Sequence, residues 1–504
     1  MVRLLNVYTI SAFVALGGVL FGSDISSISA IIGTDQYKNF FGNPLGTRQG
    51  LITSAMAAGS LIGALSSSVL ADQLSRKVTI QIGTVFWCIG AALQSASNGV
   101  GMLISGRAIS GICIGLTSSL VPIYQSEIAP RNIRGRVVSF QFLGITSGMM
   151  IQYYIEYGCS FIDSTAAFRI PWAIPAIPAI VLFIGLFWFP RSPRWLASKD
   201  RWDETLTVLA SLRTTKNDIN DSLVLAEYRE IEDQIRFERE RDSNSLRELL
   251  SKKMRVRVLL ALAIQMLAQL SGATMLNYYI VYVFQSAGVP NPRLAASFQY
   301  VIKVFMTMIA ILWADKWGRR PILLVGAVTM GFVVLRHCHP SVSRSIQACC
   351  YLANATFSAS WGPVSWIYPP EVVPLRIRSI SVSLAFATNW ITNYAVGFGV
   401  PPLLRSIRWR LFFLFGSFNI AAAVTVWFTA PETKLRTLEE MDEVFEHEQP
   451  LWKSFLSWRE SNTLDELAHD IEMGTSRITG AVPVDSSDGH RALDKPPGKL
   501  ENAK

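Results

Sequence analysis

Two short charged motifs each occur twice in this chain, and every copy lies between long apolar runs. The stretch Ser126–Gln141 has a counterpart in Pro370–Ser383, and Ala71–Lys77 has a counterpart in Ala314–Arg320. The shared residues are Glu127, Pro130 and Arg134 with Glu371, Pro374 and Arg378, and Asp72 and Arg76 with Asp315 and Arg319. The displacement is nearly constant, 243 residues from Asp72 to Asp315 and 244 from Glu127 to Glu371. One large unit is therefore present twice.

The composition favours a bilayer as solvent. Half of the 504 residues are hydrophobic and only 16% are charged. The net charge is +9, but many Lys and Arg lie in short loops between apolar runs. Anionic lipid headgroups are therefore the expected partner, and nucleic acid is not. The six cysteines are scattered, which indicates neither a disulfide framework nor a metal site.

A membrane-spanning helix needs about 20 apolar residues, and the chain offers about twelve such runs. They are 4–32, 49–70, 78–95, 101–124, 137–157 and 170–189, then 256–284, 295–313, 321–335, 346–368, 379–400 and 411–430. This predicts an all-α membrane protein with two six-helix halves. An even number of spans places both termini on one side.

The remaining segments complete a division into four parts. We predict an N-terminal half over 1–190, a cytoplasmic helical linker over 191–255, a C-terminal half over 256–430 and a cytoplasmic tail over 431–504. The linker is amphipathic with mixed charge, and the tail beyond about residue 474 is rich in Ser, Gly and Pro, which is typical of disorder.

The membrane face that carries the repeated motifs is called the motif side below. Its short loops hold only slightly more Lys and Arg than those of the opposite side, so the charge rule alone barely orients the chain. The long basic stretch 191–257 favours the motif side as cytoplasmic. Two GxxxG patterns, Gly59–Gly63 and Gly111–Gly115, predict close helix contacts, unless they reflect chance in a glycine-rich chain.

Taken together, the motifs resemble the sugar porter family of the major facilitator superfamily, and fungal hexose-type transporters in particular. The resemblance covers about residues 10–445. Its signatures are GVLFGSD (18–24), Gly106–Arg107, YQSEIAPRNIRGR (124–136), PRSPRWL (190–196), QLSG (269–272), DKWGRR (315–320), WGPVSWIYPPE (361–371) and PETKLRTLEEMD (431–442).

This resemblance implies the major facilitator fold and secondary transport of a sugar, with protons, by alternating access. It also implies a multi-pass protein of the plasma membrane with both termini in the cytoplasm, and the substrate site lies between the two halves near the midplane. No cofactor is expected. The sequence contains no phosphate-binding loop, nucleophile–base motif or metal-ligand cluster, which argues against an enzyme.

Charged residues of the motif side are expected to act as a gate. In the family, Arg–carboxylate pairs latch the two halves together on this side and break when it opens. The matching residues are Asp72, Arg76, Glu127, Arg134 and Arg136, then Asp315, Arg319, Arg320, Glu371 and Arg378. The alternative is anchoring by positive charge alone, which would not need the acids. Three positions depart from the family pattern: Ser75, Arg191 and Ser379. At 191 an Arg replaces Glu and predicts repulsion from neighbouring Arg residues.

Several charges lie inside predicted spans, and two of them lie at matching depth. Asp24 and Arg107 are each about 20 residues, or about 30 Å, from the motif side, so they are able to pair. A charge inside the bilayer is costly unless paired, and it is a functional candidate by default. The resemblance implies that Asp24 takes up the proton and Arg107 tunes it. The alternative is a static salt bridge.

The resemblance also assigns a sugar site. Gln269 and Trp366 match an amide and an aromatic residue of the family site, and Asn389 falls where the family has a polar amide. Four positions depart: Phe142, preceded by Gln141, and Ala268, Thr274 and Lys303 all replace amides of the family. Weakened or altered sugar recognition would follow. Gln141, Thr274 and Lys303 remain candidate substrate contacts.

Lys303 lies 12 residues before Asp315, about 18 Å from the motif side and too deep to reach the surface easily. It predicts either pairing with an anionic substrate, such as a sugar acid or quinate-like acid, or an internally paired Lys in a poor transporter. A neutral-sugar porter that tolerates the Lys is the third reading.

The ninth apolar run is only about 15 residues long and is followed by His337 and His339. We interpret the segment with these histidines as an exposed loop or an error in the gene model, and not as a metal site. A non-transporting sugar sensor of the same fold is the remaining rival.

Overall fold

The computed structural model describes residues 7–130, 133–214, 218–240, 251–337, 343–407 and 410–434, together with 441 and 445. Twelve long helical segments lie within these ranges. In chain order they are α1 (Val7–Val14 and Leu16–Ser29), α2 (Thr47–Leu74), α3 (Arg76–Ser95), α4 (Val100–Ile128), α5 (Arg134–Cys159), α6 (Ala166–Ala173 and Ala176–Gly185), α7 (Lys252–Leu270 and Ala273–Ser286), α8 (Pro292–Trp317), α9 (Arg319–His337), α10 (Ser343–Ala359 and Trp361–Val372), α11 (Leu375–Ser406) and α12 (Leu411–Thr429). The prediction of about twelve helices is confirmed.

Eight of these segments are long and apolar enough, by length and composition alone, to cross a membrane. The other four are α5, α9, α10 and α11. Polar side chains lower the apolar character of α5 and α11, where Gln152, Asn389 and Asn393 are buried inside the protein. In α10 the helix is interrupted at Ser360. The helices α5 and α11 therefore contribute buried amides to the interior of the bundle.

The prediction of a short ninth helix is wrong. The helix α9 runs over 19 residues, from Arg319 to His337, which is about 28 Å and close to the thickness of a bilayer core. Its first turn includes charged residues because the Glu432 carboxylate accepts the backbone N–H groups of Arg319, at 2.8 Å, and Arg320, at 3.1 Å. His339 lies outside the described residues. Within the described part of the chain, no three His, Cys, Asp or Glu side chains are grouped to hold a metal.

Glycines bring α2 and α4 into backbone contact. A Cβ atom placed on Gly59 would lie 1.8 Å from the Ala108 carbonyl oxygen, and one on Gly111 would lie 2.2 Å from that of Met56. Gly63 and Gly115 face the opposite helix at similarly short range. The prediction that both GxxxG patterns mark close helix packing is therefore confirmed, and chance is not the explanation.

The two halves meet along buried polar contacts. The hydroxyl groups of Ser67 on α2 and Ser383 on α11 are 2.8 Å apart. The Tyr153 hydroxyl of α5 donates to the Arg293 carbonyl of α8 at 2.9 Å. The Trp390 indole of α11 donates to the Ser118 hydroxyl of α4 at 3.3 Å. Single hydroxyl contacts of this kind contribute little each, so the halves are able to separate on one side at modest cost.

Three shorter helices, Pro193–Ser198, Trp202–Arg213 and Ser222–Glu240, follow α6. The second and the third are joined by a bidentate ion pair of Arg213 with Glu227, at 2.6 and 2.7 Å. Arg213 also donates to the Ile128 carbonyl at the end of α4, at 2.8 Å. The linker helices therefore dock onto the motif side. The predicted four-part division of the chain, with its boundaries, stays a prediction, and the tail beyond 445 lies outside the described residues.

Candidate functional site

A cavity of about 50 Å³ lies between the two halves. It is lined by α1, α5, α7, α8, α10 and α11 through Phe21, Ile25, Phe142, Ile145, Thr146, Met149, Ala268, Gln269, Thr274, Asn277, Tyr278, Lys303, Phe357, Ser365, Trp366, Asn389 and Asn393. Pockets for small molecules usually enclose about 300 Å³ or more. The cavity is therefore too small for a hexose as it stands, and its walls must move apart to admit one.

Amide side chains of α7 and α11 form a connected network beside the cavity. Gln269 donates to Asn389 at 3.2 Å and accepts from Asn393 at 3.1 Å. Asn389 donates in turn to Gln265 at 2.6 Å, and Gln265 donates to the Ser365 carbonyl at 2.9 Å. Thr274 donates its hydroxyl to Gln269. Amides both donate and accept, so this network is able to exchange its internal bonds for bonds to sugar hydroxyls.

Aromatic rings supply the opposite character. The Trp366 ring packs 4.8 Å from that of Phe386 and 5.9 Å from that of Phe21, measured between centroids. Phe142 lies against Gly362 so closely that a Cβ atom there would be 2.3 Å from the ring. An apolar aromatic wall next to amides suits the C–H face and the hydroxyl edge of a pyranose.

Lys303 reaches the same cavity from α8. Its side chain is 2% exposed, and its ammonium donates to the Asn277 side-chain oxygen. It also lies over the Tyr300 ring, 5.7 Å from the centroid. Lys303 is in none of the ion pairs of the described residues. This cation therefore contacts a neutral amide and the face of a ring.

The structure brings five of the six predicted substrate contacts to the cavity: Gln269, Thr274, Lys303, Trp366 and Asn389. Gln141 is not among the lining residues. Its side chain is buried against Gly18 of α1, and Phe142 takes the cavity face instead. Adjacent residues of a helix point about 100° apart, so a neighbouring Gln could not replace Phe142 at this face.

The prediction missed Gln265, Asn277 and Asn393. A signal for two of them was available. Gln265 precedes Gln269 by four residues and Asn393 follows Asn389 by four, so each pair shares a helix face.

Asp24 and Arg107 are in direct contact. An Arg107 guanidinium nitrogen lies 2.9 Å from the Asp24 carboxylate, and both side chains are almost fully buried, at 0% and 3% exposed. Arg107 also donates to the Ser27 hydroxyl at 3.2 Å. Their matched depth in the sequence is thus realised as a contact. The proton-coupling role of the pair stays a prediction.

On the motif side of the N-terminal half, Arg76 bridges two acids. Its guanidinium lies 3.2 Å from Asp72 and 3.3 Å from Glu127, so it ties the start of α3 to the ends of α2 and α4. Arg134 and Arg136 stand partly buried in the first turn of α5. Arg191 stacks over the Trp195 ring at 5.3 Å, and the Trp195 indole donates to the Asp72 carbonyl at 3.1 Å. The Trp195 ring therefore gives Arg191 a favourable contact, whereas the sequence predicted only repulsion from neighbouring Arg residues.

The C-terminal half repeats the design. Arg319 of α9 lies 3.1 Å from Glu371 of α10, and the Thr433 hydroxyl donates to the same carboxylate at 2.6 Å. Arg320 donates to the Trp427 carbonyl of α12 at 2.7 Å, and Arg378 is buried near the start of α11. The Asp315 side chain lies outside the described residues. The Arg76 and Arg319 pairs each join helices of one half, whereas the sequence suggested pairs that latch one half to the other.

Two six-helix repeats around a small polar and aromatic cavity define a secondary transporter of the membrane. The family model described as Sugar (and other) transporter matches residues 10–445. The MFS glucose transporter mfs1 of Aspergillus flavus is 44% identical to this chain, over 95% of the chain and 97% of the relative. The chain therefore belongs to the sugar porter family of the major facilitator superfamily, as its motifs predicted, and this is a family of transporters, not enzymes.

Solved structures match the fold closely. The proton:xylose symporter XylE bound to 6-bromo-6-deoxy-D-glucose gives a TM-score of 0.78 at 25% identity, covering 87% of this chain and 99% of that one. The inward-open conformation of XylE from E. coli gives 0.68 at 25% identity over the same shares. The arrangement of the helices is therefore more similar to the ligand-bound structure than to the inward-open one.

Proposed function

We propose that this protein carries a hexose-type sugar together with protons across the plasma membrane, with the motif side and both termini in the cytoplasm. The observation that carries the proposal is the amide network of Gln269, Asn389 and Asn393 beside Trp366, at the contact of the two halves. The four-part division at 190, 255 and 430 belongs to the same proposal. Similarity to a glucose transporter and to a proton:xylose symporter supports it.

Asp24 and Arg107 are the groups proposed to couple protons to the sugar. Ionised Asp24 holds Arg107 at 2.9 Å, and this buried pair ties α1 to α4. Protonation removes the negative charge, so the attraction falls and α1 is released from α4. Because α1 also lines the cavity through Phe21 and Ile25, its release changes the shape of the sugar site. Proton uptake and sugar binding then favour the same rearrangement.

Gating is proposed to depend on the motif-side ion pairs. Arg76 with Glu127 and Arg319 with Glu371 each fix a helix end within one half. Opening of the motif side must disturb these helix ends. A pair that opening breaks favours the state in which the motif side is closed, which biases a two-state equilibrium while it stays reversible.

The variant Asp24→Asn tests the coupling role. Asn keeps the size of the side chain but cannot exchange a proton, so we expect loss of uphill sugar accumulation, while exchange of labelled for unlabelled sugar persists. Both are measured with labelled glucose in yeast that lack their own hexose carriers. Accumulation and exchange that both stay at the level of the unmodified protein would make the pair a static salt bridge.

A second candidate substrate class is supported by Lys303. We propose, as the alternative, that the carried solute is an acid of sugar or cyclitol type whose carboxylate pairs with this ammonium. A buried cation with an amide and a ring as its given partners would gain a strong charge-assisted hydrogen bond from such a ligand.

Competition separates the two classes. If the solute is an acid, quinate or glucuronate should inhibit uptake in the unmodified protein and should lose this effect in Lys303→Asn. The matched control is Lys199→Asn, which removes an exposed Lys of the linker. No inhibition by either acid in the unmodified protein would remove the acid carrier and leave the neutral sugar. Sugar binding without any uptake would instead indicate a sensor.

A further inference from the structure

The helix α5 carries a buried acid, Glu156, outside the proposed sugar site and the Asp24–Arg107 pair. Glu156 is 1% exposed, although it belongs to a helix that crosses the bilayer. One of its carboxyl oxygens accepts from the Gln152 side chain at 2.9 Å. The other oxygen is buried, and no side chain among the described residues donates a hydrogen bond to it.

This environment suits a carboxylic acid better than a carboxylate. The same Gln152 nitrogen donates its second N–H to the Pro171 carbonyl of α6 at 2.9 Å, so Gln152 has one N–H for the Glu156 carboxyl group. A buried carboxylate normally needs several donors or a cation, because its desolvation is very costly, and the neutral acid loses far less. Glu156 is thus a site where a proton is readily held.

Glu156 lies beside the Asp24–Arg107 pair. Asp24 of α1 and Arg107 of α4 are both close enough to act on its charge, and α1 approaches it through the backbone of Ala30. The other titratable groups around it are Tyr153 and Cys159 of α5 and Tyr300 of α8. The acid at 156 and the acid at 24 therefore share one electrostatic environment.

Depth gives the two acids an order. Glu156 lies 22 residues beyond Arg134, about 33 Å from the motif end of α5 and within one turn of its other end at Cys159. Arg107 lies 20 residues from Glu127, about 30 Å from the motif side. A proton that arrives from the side opposite the motifs therefore meets Glu156 no later than it meets the Asp24–Arg107 pair.

We propose that Glu156 is a second proton-binding group, which receives a proton from the side opposite the motifs and passes it to Asp24. This inference rests on the proposed proton coupling. In the step, the carboxylic acid of Glu156 gives its proton to the Asp24 carboxylate, and the resulting Glu156 carboxylate is reprotonated from water. No electrons are exchanged. The charge on Asp24 is neutralised and its hold on Arg107 is released.

The test is Glu156→Gln, measured as net labelled-glucose uptake across external pH from acid to neutral. Gln keeps the volume and still accepts from Gln152, but it cannot pass a proton. We expect net uptake near neutral pH to fall by roughly tenfold or more, with a smaller loss at acid pH where protons reach Asp24 without a relay. Exchange of labelled for unlabelled sugar, which needs no net proton movement, should be unchanged.

Controls keep the outcomes separate. Asp35→Asn removes an exposed acid between α1 and α2 and should leave the pH profile unchanged. A pH profile of Glu156→Gln identical to that of the unmodified protein would overturn the relay, and so would equal loss of exchange and net uptake, which marks a structural role. If Glu156→Gln fails to reach the membrane, Glu156→Met, which has a similar size and no titratable group, replaces it, and an unshifted pH profile there overturns the relay. Uptake by the unmodified protein that ignores an uncoupler would instead overturn the proton coupling itself.

Discussion

At the scale of single residues, the amide side chains of the proposed sugar site already form hydrogen bonds with one another. Gln269 has three partners, Asn389, Asn393 and Thr274, and each bond must be exchanged for a bond to a sugar hydroxyl. Such an exchange is worth only about 1 kcal/mol per bond, because one hydrogen bond replaces another. Affinity therefore depends on several amides acting together. Selectivity follows because a sugar that lacks a hydroxyl at the right position leaves one of these amides without a hydrogen-bond partner.

Removal of the central amide should weaken sugar binding. In Gln269→Ala one or two sugar contacts are lost and the amides of Asn389 and Asn393 lose a partner, so we expect KM for the sugar to rise roughly tenfold. The concentration dependence of labelled-sugar uptake measures it. Gln36→Ala is the control, because Gln36 donates to loop carbonyls between α5 and α6, away from the cavity. An unchanged KM in Gln269→Ala would show that the network does not contact the sugar.

The residue scale is also where prediction from sequence failed most. Gln269, Thr274, Lys303, Trp366 and Asn389 do line the cavity, but Gln141 faces α1 while its neighbour Phe142 faces the cavity. Sequence spacing gives the period of a helix and not its rotation about its own axis. That rotation is set by contacts such as Gly18 with Gln141 and Gly362 with Phe142, which only the folded packing reveals.

At the scale of helices, the two halves end their motif sides differently. In the C-terminal half the Glu432 carboxylate accepts hydrogen bonds from the first backbone N–H groups of α9. These groups follow Gly318, whose φ angle is positive. Around the corresponding start of α3, the repeat has Ser75 at positive φ, and Arg191 stands where Glu432 does. Ser75 itself accepts from the Val78 amide at 3.4 Å. The N-terminal cap of α3 thus uses a hydroxyl where that of α9 uses a carboxylate, which holds a helix N-terminus more strongly.

The glycine contact between α2 and α4 gives a prediction about stability. A methyl group at Gly111 would lie 2.2 Å from the Met56 carbonyl, so Gly111→Ala must push the helices apart, at a cost of about 1–3 kcal/mol. We expect a lower Tm in detergent and less monodisperse protein. Gly101→Ala on the same helix is the matched control, because a Cβ atom there meets nothing within 4 Å. Equal Tm values for the two variants would contradict tight packing at this contact.

Helix packing was accessible from sequence for a physical reason. In a bilayer, small residues four positions apart allow the backbones of two helices to approach closely. The GxxxG patterns therefore predicted this contact. The length of α9 was not accessible, because its ends are charged. Its first turn is stabilised by Glu432, a residue 113 positions away that no local pattern connects to Arg319.

At the scale of the whole molecule, the duplication determined most of what could be predicted. Two charged motifs displaced by nearly equal lengths required two similar halves, and the bilayer required each half to be helical. The state of the molecule could not be predicted, because both states of an alternating carrier use the same sequence. The small size of the cavity and the greater similarity to ligand-bound than to inward-open XylE are properties of the packing between the halves.

The most direct test of proton-coupled sugar transport is uptake of labelled glucose, xylose and quinate in yeast lacking hexose carriers, with and without an uncoupler. The account predicts saturable uptake of a sugar that accumulates above the external concentration and falls to equilibration when the uncoupler is added. With the protein shown at the cell surface, sugar uptake that the uncoupler does not change, or no sugar uptake at all, would contradict it.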